Sequence, residues 1–446
     1  MRARSRWRYA LVGLAALAAS LATSAAAEAP THPAITAGAG ERVALTSWTV
    51  REDAANRGVS LGWQRGGFAG GHTSVPSVMH PDAFSGRAGT RNYEGSVAWY
   101  QATLHATVAG TYALDFQSAN FFAQVWVDGR LLGSHQGSYL PFELRTHLAA
   151  GAHRVVVRID WRNPGAQSRA GFHRTWFNWG GIDGEVEARR IDASDLSEPT
   201  IHTVLGEGSA RVTVSVRVRN EGPERTLTPE GSLVREDASV PLRFAPLTLE
   251  AGQTATATAT ATVQAPALWS PRSPSLYRLQ LAVPGESTYV ADVGLRQLTW
   301  RSGSLYINGT RLKLHGVTVQ EDAPGHGDAL TASDDDRLLS ELRAIHANAV
   351  RAQHPLDPML LERLDAAGIV VWQGIGPVEG AGNWFSNTPH LNAQAIGQAR
   401  SAVAAERLHP SVIAWNLVDE VAGNGRDAEE VAYVQTLTRW LHLHDP

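Results

Sequence analysis

The period of the hydrophobic residues changes once along this chain of 446 residues, at about Leu298. Before that point, apolar and polar residues alternate in short runs between turn residues, which is typical of strands that bury one face. After it, continuous apolar runs alternate with helical patterns, which predicts buried parallel strands joined by helices. The sequence therefore predicts two β-rich regions followed by a strand–helix region.

The strand–helix region contains four predicted strands, each followed by a helical pattern. Four such units are half of an eightfold βα barrel, so residues 298–446 are predicted to form the first half of a TIM barrel. Ser333 is predicted to cap the first helix, and Asp357 with Pro358 to begin the second. The apolar face of the first helix is predicted to comprise Leu338, Leu339, Leu342 and Ile345. The predicted strands are 312–317, 348–350, 369–372 and 412–417.

The two β-rich regions are separated at about residue 195. In the first, alternating runs at 99–107, 111–116, 124–127 and 154–161 fit two packed sheets, as in a jelly roll or a related sandwich. Asp128-Gly129 lies between two of these runs and predicts a hairpin. In the second, residues 254–262 alternate threonine and alanine, which predicts an exposed strand rather than a linker.

The first 27 residues have the three parts of a secretory signal peptide. Arginines at the start are followed by an apolar stretch from Ala10 to about Ala22 and by small residues that predict cleavage after Ala27. The apolar stretch is too short to span a membrane comfortably, which argues against a permanent anchor. We therefore expect a secreted or periplasmic protein with no membrane attachment after cleavage.

Composition excludes several classes of function. The formal net charge of −4 gives no electrostatic basis for binding nucleic acid. Cysteine is absent, so no disulfide or thiolate site can form. The 17 histidines show no metal-ligand spacing, since the pair His442 and His444 has no third ligand nearby in sequence. We expect no metal and no cofactor, and the sequence does not indicate the oligomeric state.

The last predicted strand ends in two adjacent carboxylic acids, Asp419 and Glu420. The glycine-rich turn 423–425 follows them directly. Barrel enzymes place their catalytic groups at the C-terminal ends of such strands. A carboxylic acid at this position is a candidate general acid or base.

The segment 409–420 resembles the acid/base strand of glycoside hydrolase family 2, the family of β-galactosidases, β-glucuronidases and β-mannosidases. Residues 126–142 and 177–182 resemble the sugar-binding domain that begins these enzymes, and 267–279 resembles their immunoglobulin-like second domain. The resemblance extends from about Val97 to the C-terminus. It implies a jelly-roll sugar-binding domain over 28–195, an immunoglobulin-like β-sandwich over 196–297 and the N-terminal half of a TIM barrel over 298–446.

The resemblance also implies roles for individual residues. Glu420 would be the general acid/base, and His354 would contact a sugar hydroxyl. Arg351 would support the catalytic carboxylates, and Trp384 is a candidate stacking platform for a sugar ring. Structural alternatives are a solvated loop glutamate for Glu420, a salt bridge for Arg351, a loop imidazole for His354 and core packing for Trp384.

Three positions depart from the family pattern. Asp419 stands where the family has an asparagine that donates to the sugar 2-hydroxyl, so its alternatives are sugar contact or a structural cap. Gln373 stands where family members often have an acidic residue, and Thr175 where β-glucuronidases have an aspartate. These departures leave the sugar and the linkage open.

The sequence therefore predicts an exported retaining β-glycosidase that acts on a carbohydrate substrate. The family's nucleophile lies near the end of the seventh barrel strand, so the chain is expected to be an N-terminal portion of such an enzyme and inactive by itself. The alternative is a non-catalytic carbohydrate-binding protein with a degenerate barrel.

Overall fold

A computed structural model describes residues 42–82, 94–162, 178–376, 389–418 and 428–445. All of them belong to one compact unit that spans Pro33–Pro446. No helix in these ranges is long and apolar enough to cross a membrane. The predicted signal peptide, Thr175, Trp384, Asp419 and Glu420 lie outside the described residues.

The first region is built from antiparallel sheets around one core. A four-stranded sheet in the order β1-β12-β6-β9 faces a six-stranded sheet in the order β3-β2-β5-β10-β7-β8, and β11 pairs with β4. Inward residues of both large sheets, among them Leu114 and Val157, form a single buried cluster. A 3₁₀ helix, Trp63–Arg65, lies between β2 and β3. The strands are β1 Arg42–Ala44, β2 Ser47–Glu52, β3 Gly71–Ser74, β4 Ser77–Val78, β5 Val97–Ala106, β6 Gly110–Phe116, β7 Phe122–Val127, β8 Arg130–Gln136, β9 Phe142–Leu148, β10 Gly151–Asp160, β11 Gly181–Ile182 and β12 Val186–Ile191.

The second region has a separate core and its own sheets. The sheet orders are β13-β14-β19, β17-β16-β22-β23, β15-β18 and β20-β21. The predicted strand at 254–262 is confirmed as β19, in which Ala257 and Ala259 are buried and the neighbouring Thr256, Thr258 and Thr260 are exposed. The strands are β13 Ser194–Gly206, β14 Ser209–Asn220, β15 Arg225–Leu227, β16 Glu230–Arg235, β17 Ala238–Arg243, β18 Leu247–Leu249, β19 Thr254–Gln264, β20 Trp269–Ser270, β21 Ser273–Pro274, β22 Tyr277–Val283 and β23 Ser287–Val293.

The third region begins with the antiparallel sheet β24-β25-β26 and continues with the parallel sheet β27-β28-β29-β30. The predicted alternation of strands and helices is confirmed. The strands are β24 Leu298–Arg301, β25 Ser304–Ile307, β26 Thr310–Arg311, β27 Gly316–Val319, β28 Ala349–Ala352, β29 Val370–Gly374 and β30 Val412–Asn416. The helices are α1 Ala332–Ala344, α2 Pro358–Ala367, α3 Pro389–Glu406 and α4 Ala428–His444.

The two faces of the parallel sheet differ in burial. One face packs on α1 and α2 through a cluster that includes Val319, Val350 and Val371. On the other face, Thr318, Arg351 and Trp372 are neighbours in register across three strands. Thr318 is exposed and Trp372 is 44% exposed. This second face corresponds to the one that side-chain layers fill in a closed barrel.

Three local predictions in this region are wrong. The first parallel strand begins at Gly316 rather than at residue 312. The Leu312 amide donates a hydrogen bond to the Leu305 carbonyl oxygen, so Leu312 continues the preceding hairpin. Helix α1 is capped by Thr331, not Ser333, because the Thr331 side chain and Asp334 form a reciprocal capping box. The helix ends at Ala344, so the predicted apolar face does not include Ile345, which is 60% exposed.

A buried ion pair fixes the start of β30. His409 Nδ1 lies 2.6 Å from Asp365 Oδ2, and the other Asp365 oxygen accepts from the Ser411 amide at 2.9 Å. Burial alone would lower the pKa of His409, but the charge of Asp365 and the hydrogen bond outweigh it and raise that pKa above its usual value. The pair therefore joins α2 to the strand that leads towards Glu420.

Asp365→Asn is expected to destabilise the protein by about 3–5 kcal/mol below pH 6, because it leaves the buried His409 without its counter-charge. The folded-state pKa of His409 is raised, so its stabilisation is complete below the unfolded pKa of about 6.5 and is lost as pH rises through the folded value. Urea denaturation at pH 5.5 and pH 8.5 measures both effects. The exposed His442 provides the control variant His442→Gln. Equal losses for Asp365→Asn at the two pH values would contradict the assignment.

Candidate active site

The C-terminal edge of the parallel sheet gathers polar residues from two neighbouring strands. Gln320, Glu321 and Asp322 follow β27, while Gln353 and His354 follow β28. Because the strands are parallel, these ends lie on the same edge of the sheet. The two strand ends are joined directly, since Gln320 Nε2 donates to Gln353 Oε1 at 2.6 Å.

His354 is fully buried at this edge. Its Nδ1 lies 2.9 Å from the Pro355 carbonyl oxygen and 3.4 Å from Glu321 Oε2. A carbonyl oxygen can only accept, so Nδ1 carries the proton, and burial lowers the pKa of His354 to about 4. The imidazole is therefore neutral at pH 7. Within the described ranges the buried Nε2 has no hydrogen-bond partner, so its lone pair is unpaired there.

Arg351 lies within β28 rather than after it, because the strand continues to Ala352. Its register neighbours on the exposed face of the sheet are Thr318 and Trp372. The side chain is half-buried. Arg351 therefore lies within the strand, three residues before His354 at the sheet edge. Its support of a carboxylate stays a prediction.

The chain reaches the predicted acid/base position directly from β30. The strand ends at Asn416, and the half-buried Leu417 and Val418 pack on a cluster that includes Ile375. The Leu417 carbonyl passes so close to Gly376 that a Cβ there would lie 1.6 Å from its oxygen. Only glycine permits this approach of the two strand ends. Asp419 and Glu420 come next in the sequence, outside the described residues.

Gln373 has a structural role at the end of β29. The side chain is fully buried, and its Nε2 donates to the His354 carbonyl oxygen at 2.5 Å and to the Gly374 carbonyl oxygen at 3.1 Å. An acidic residue, as the family often has here, could not make these donations when ionised. Gln373 therefore connects β29 to the backbone that carries His354.

The carboxyl groups near His354 are held in low-dielectric surroundings. Burial and then the charge of Asp357 raise the pKa of Glu321 well above its usual range, although its Oε1 accepts from the Asp357 amide at 2.8 Å. Burial and then the charge of Asp183 raise the pKa of Asp328 well above its usual range. Burial therefore disfavours the ionised form of both carboxyls.

The first β region contributes three side chains to this edge. Tyr139 stacks on the His354 ring, with centroids 4.1 Å apart and planes at 18°. Trp179 Nε1 donates to Asp322 Oδ1 at 2.6 Å. Burial raises the pKa of the Asp183 carboxyl, although a hydrogen bond from Ser118 acts in the opposite direction. The first β region and the parallel sheet therefore form the candidate site together.

Sequence reasoning missed Tyr139 and Glu321. Glu321 follows a strand end, which is the right signal, but the predicted strand ended two residues too early for that signal to be used. Tyr139 contacts His354 from a different region of the chain, and no local sequence pattern predicts such a contact. Within the described ranges, no group of three or more histidine, aspartate or glutamate side chains could hold a metal ion.

Two family profiles match consecutive parts of the chain. Residues 195–296 match "Glycosyl hydrolases family 2", and residues 298–446 match "Glycosyl hydrolases family 2, TIM barrel domain". Together the two matches cover more than half of the chain.

Two relatives carry related names. A protein of Formosa agariphila named "Putative beta-glucuronidase" is 25% identical over 375 residues, which cover 79% of this chain and 44% of that protein. The "Beta-glucuronidase" of Paenibacillus borealis is 26% identical over 441 residues, which cover 90% of this chain and 70% of that protein. The chain thus spans less than half of one relative and about two thirds of the other.

Solved structures share the multidomain fold with a TIM barrel. A GH2 beta-galacturonidase from Eisenbergiella tayi, bound to glycerol, superposes with a TM-score of 0.76 at 22% identity, over 91% of this chain and 69% of that one. A beta-glucuronidase from Bacteroides uniformis superposes with a TM-score of 0.76 at 22% identity, over 91% of this chain and 51% of that one.

Proposed function

The chain belongs to glycoside hydrolase family 2, and from that premise we propose that the protein is an exported β-glycosidase that hydrolyses its substrate with retention of anomeric configuration. The observation that carries the proposal is the common edge of β28 and β30. That edge holds His354, and Glu420 follows β30 by four residues. This is the face on which TIM-barrel enzymes carry out their chemistry.

Each residue of the proposed site has a definite task. Glu420 protonates the leaving oxygen and then removes a proton from the attacking water. His354 accepts a hydrogen bond from a sugar hydroxyl through Nε2, since its neutral form is fixed by burial and by the Pro355 carbonyl oxygen. Arg351 keeps a catalytic carboxylate ionised by a charge-assisted hydrogen bond, and Trp384 offers a face for the sugar ring.

We propose β-linked uronides as the substrate class. Two relatives named as β-glucuronidases support this choice. The electrostatics are compatible with an anionic sugar, because burial disfavours the ionised forms of Glu321 and Asp328 and so reduces their repulsion of a substrate carboxylate.

The test uses the product of the complete reading frame and a panel of 4-nitrophenyl β-glycosides. The β-glucuronide and β-galacturonide are expected to be hydrolysed faster than the β-galactoside and β-mannoside, with the β-anomer detected first by NMR. Preference for a neutral glycoside would contradict the substrate class, and an initial α-anomer would contradict retention. Sugar binding without turnover would favour the carbohydrate-binding alternative.

Export predicts a mature protein that begins at Glu28, which mass spectrometry of the secreted form checks.

Asp419→Asn tests how the site departs from its family. If Asp419 contacts the sugar 2-hydroxyl, the asparagine is expected to maintain or raise kcat/KM, because its amide restores a donor. If the carboxylate instead tunes Glu420, the same change should shift a limb of the pH–rate profile, because it removes a like charge beside the acid/base. A variant equal to wild type in both rate and profile would assign Asp419 to a structural cap.

A further inference from the structure

We propose that Tyr139 of the first β region is a positioning residue for His354, so that this region completes the catalytic site rather than only flanking it. The proposal rests on the proposed function, in which His354 contacts the sugar. Nothing in the sequence motif around Tyr139 assigns it this role. The role is inferred from the hydrogen bonds that hold its loop and from its stacking on His354.

The loop that carries Tyr139 is held at both ends. The loop joins β8 to β9, and Tyr139 has a φ of 63°, a left-handed conformation that is uncommon for a bulky residue. Its amide donates to Ser118 Oγ at 3.1 Å, and the preceding Ser138 hydroxyl donates to Asn120 Oδ1 at 2.5 Å. Such a conformation persists only when its surroundings over-determine it. The backbone therefore places the Tyr139 ring in one position.

The residue after Tyr139 joins the loop to the barrel region. Leu140 is buried in the same cluster as Ile375, which follows β29, and as Tyr433 and Leu437 of α4. A change in the position of this loop relative to the sheet would expose that cluster. The Tyr139 ring is therefore fixed relative to the strand ends as well as within its own region.

The Tyr139 ring stacks on one face of the His354 imidazole, whose Nδ1 is already hydrogen-bonded. The ring stack is at 4.1 Å and 18°, and the Tyr139 hydroxyl approaches Asp328 Oδ2 at 3.5 Å. Nδ1 of His354 is fixed by the Pro355 carbonyl oxygen at 2.9 Å. That one hydrogen bond leaves the ring free to tilt about it. The stack removes this freedom and so determines the direction of the Nε2 lone pair.

The same contact keeps water away from the imidazole. His354 is fully buried, and burial is the first cause of its lowered pKa of about 4. The titratable groups that face it are Glu321, with Oε2 at 3.4 Å from Nδ1, and Asp328 beyond Tyr139. Ionisation of either carboxyl after hydration would raise the pKa of His354 further. Removal of the aromatic ring therefore moves this pKa towards its ordinary value of about 6.5.

Tyr139→Leu is expected to lower kcat/KM on the aryl β-uronide by about 10-fold to 100-fold at pH 7.5, because a sugar contact is misdirected. The loss should deepen by about tenfold on going to pH 5.5, since a protonated His354 can no longer accept. Tyr139→Phe keeps the stack and is expected to remain near wild type. Tyr306→Leu is the matched control, because Tyr306 stacks on Arg301 away from the site.

Two comparisons decide between positioning and general packing. In the double variant Tyr139→Leu with His354→Gln, kcat/KM should equal that of His354→Gln alone, because the two residues act as one unit. Additive losses, or a loss for Tyr139→Leu that is the same at both pH values, would overturn the proposal.

Nuclear magnetic resonance of ¹⁵N-histidine protein separates this proposal from the proposed function. If no aryl glycoside is hydrolysed, the function fails, but the His354 signal, identified by its absence in His354→Gln, still reports on positioning. At pH 5.5 the wild-type imidazole is expected to be neutral with its proton on Nδ1, and protonated in Tyr139→Leu. Identical titrations in the two proteins would refute the role of Tyr139.

Discussion

Replacing Glu420 with alanine is expected to lower kcat/KM on β-uronides with poor leaving groups by roughly 100-fold to 10,000-fold, the usual contribution of a positioned general acid. Without the carboxylic acid, an alkoxide would have to depart unprotonated. An aryl glycoside with an acidic phenol needs little protonation, so its first step should be spared and only the second, base-assisted step slowed. The expected signature is a burst of phenol followed by slow turnover.

Azide provides a second diagnostic for this role. Azide needs no general base, so it should accelerate the second step in Glu420→Ala and yield a β-glycosyl azide. Glu341→Ala is the control, since Glu341 is an exposed helix residue far along the sequence from the strand ends. Unchanged turnover of a poor-leaving-group substrate in Glu420→Ala would remove this residue from the mechanism.

The local elements that the sequence predicts well are those whose signal lies in a few neighbouring residues. The hairpin at Asp128-Gly129 is confirmed, with φ values of 50° and 79° that match the turn such a pair favours. The alternation of threonine and alanine in β19 is confirmed for the same reason, because burial of every second side chain requires no knowledge of the partner strand. Asp357 and Pro358 begin α2 as predicted, with Asp357 accepting from the Met359 amide.

The errors arise where an additional contact decides between two local solutions. The apolar residues from Leu312 to Val317 are a plausible strand by sequence. In the structure, Leu312 is hydrogen-bonded into the preceding hairpin, and the residues that pair with β28 are Gly316–Val319. At α1, both Ser333 and Thr331 are good caps by type. Thr331 is the cap because Asp334 completes the reciprocal bond with it.

The candidate site was predictable only as far as its residues follow strand ends. His354 has that signal and is found at the edge, where its burial and stacking supply the neutral form that the sequence could not reveal. Tyr139 has no such signal, because its position depends on how the first β region packs on the barrel region. The electrostatic state of Glu321 likewise depends on burial by residues distant in sequence.

The spacing of the strands determines which carboxyl groups could assist Glu420. Glu321 and Asp322 follow β27, which is separated from β30 by β28 and β29. Neighbouring strands lie about 4.8 Å apart, so the two ends are roughly 14 Å apart along the sheet. A retaining pair requires about 5–5.5 Å and an inverting pair about 6.5–9.5 Å. The strand spacing therefore argues against Glu321 and Asp322 as partners of Glu420.

A polypeptide of residues 28–446 is accordingly expected to show no turnover of aryl β-uronides. The strand that precedes Glu321 is separated from β30 by two other strands, and burial disfavours the ionised carboxylate that a nucleophile requires. The assay compares this polypeptide with its Glu420→Ala variant, so that a contaminating glycosidase gives equal rates in both. Turnover that is present in residues 28–446 and lost on Glu420→Ala would place a working nucleophile within this chain.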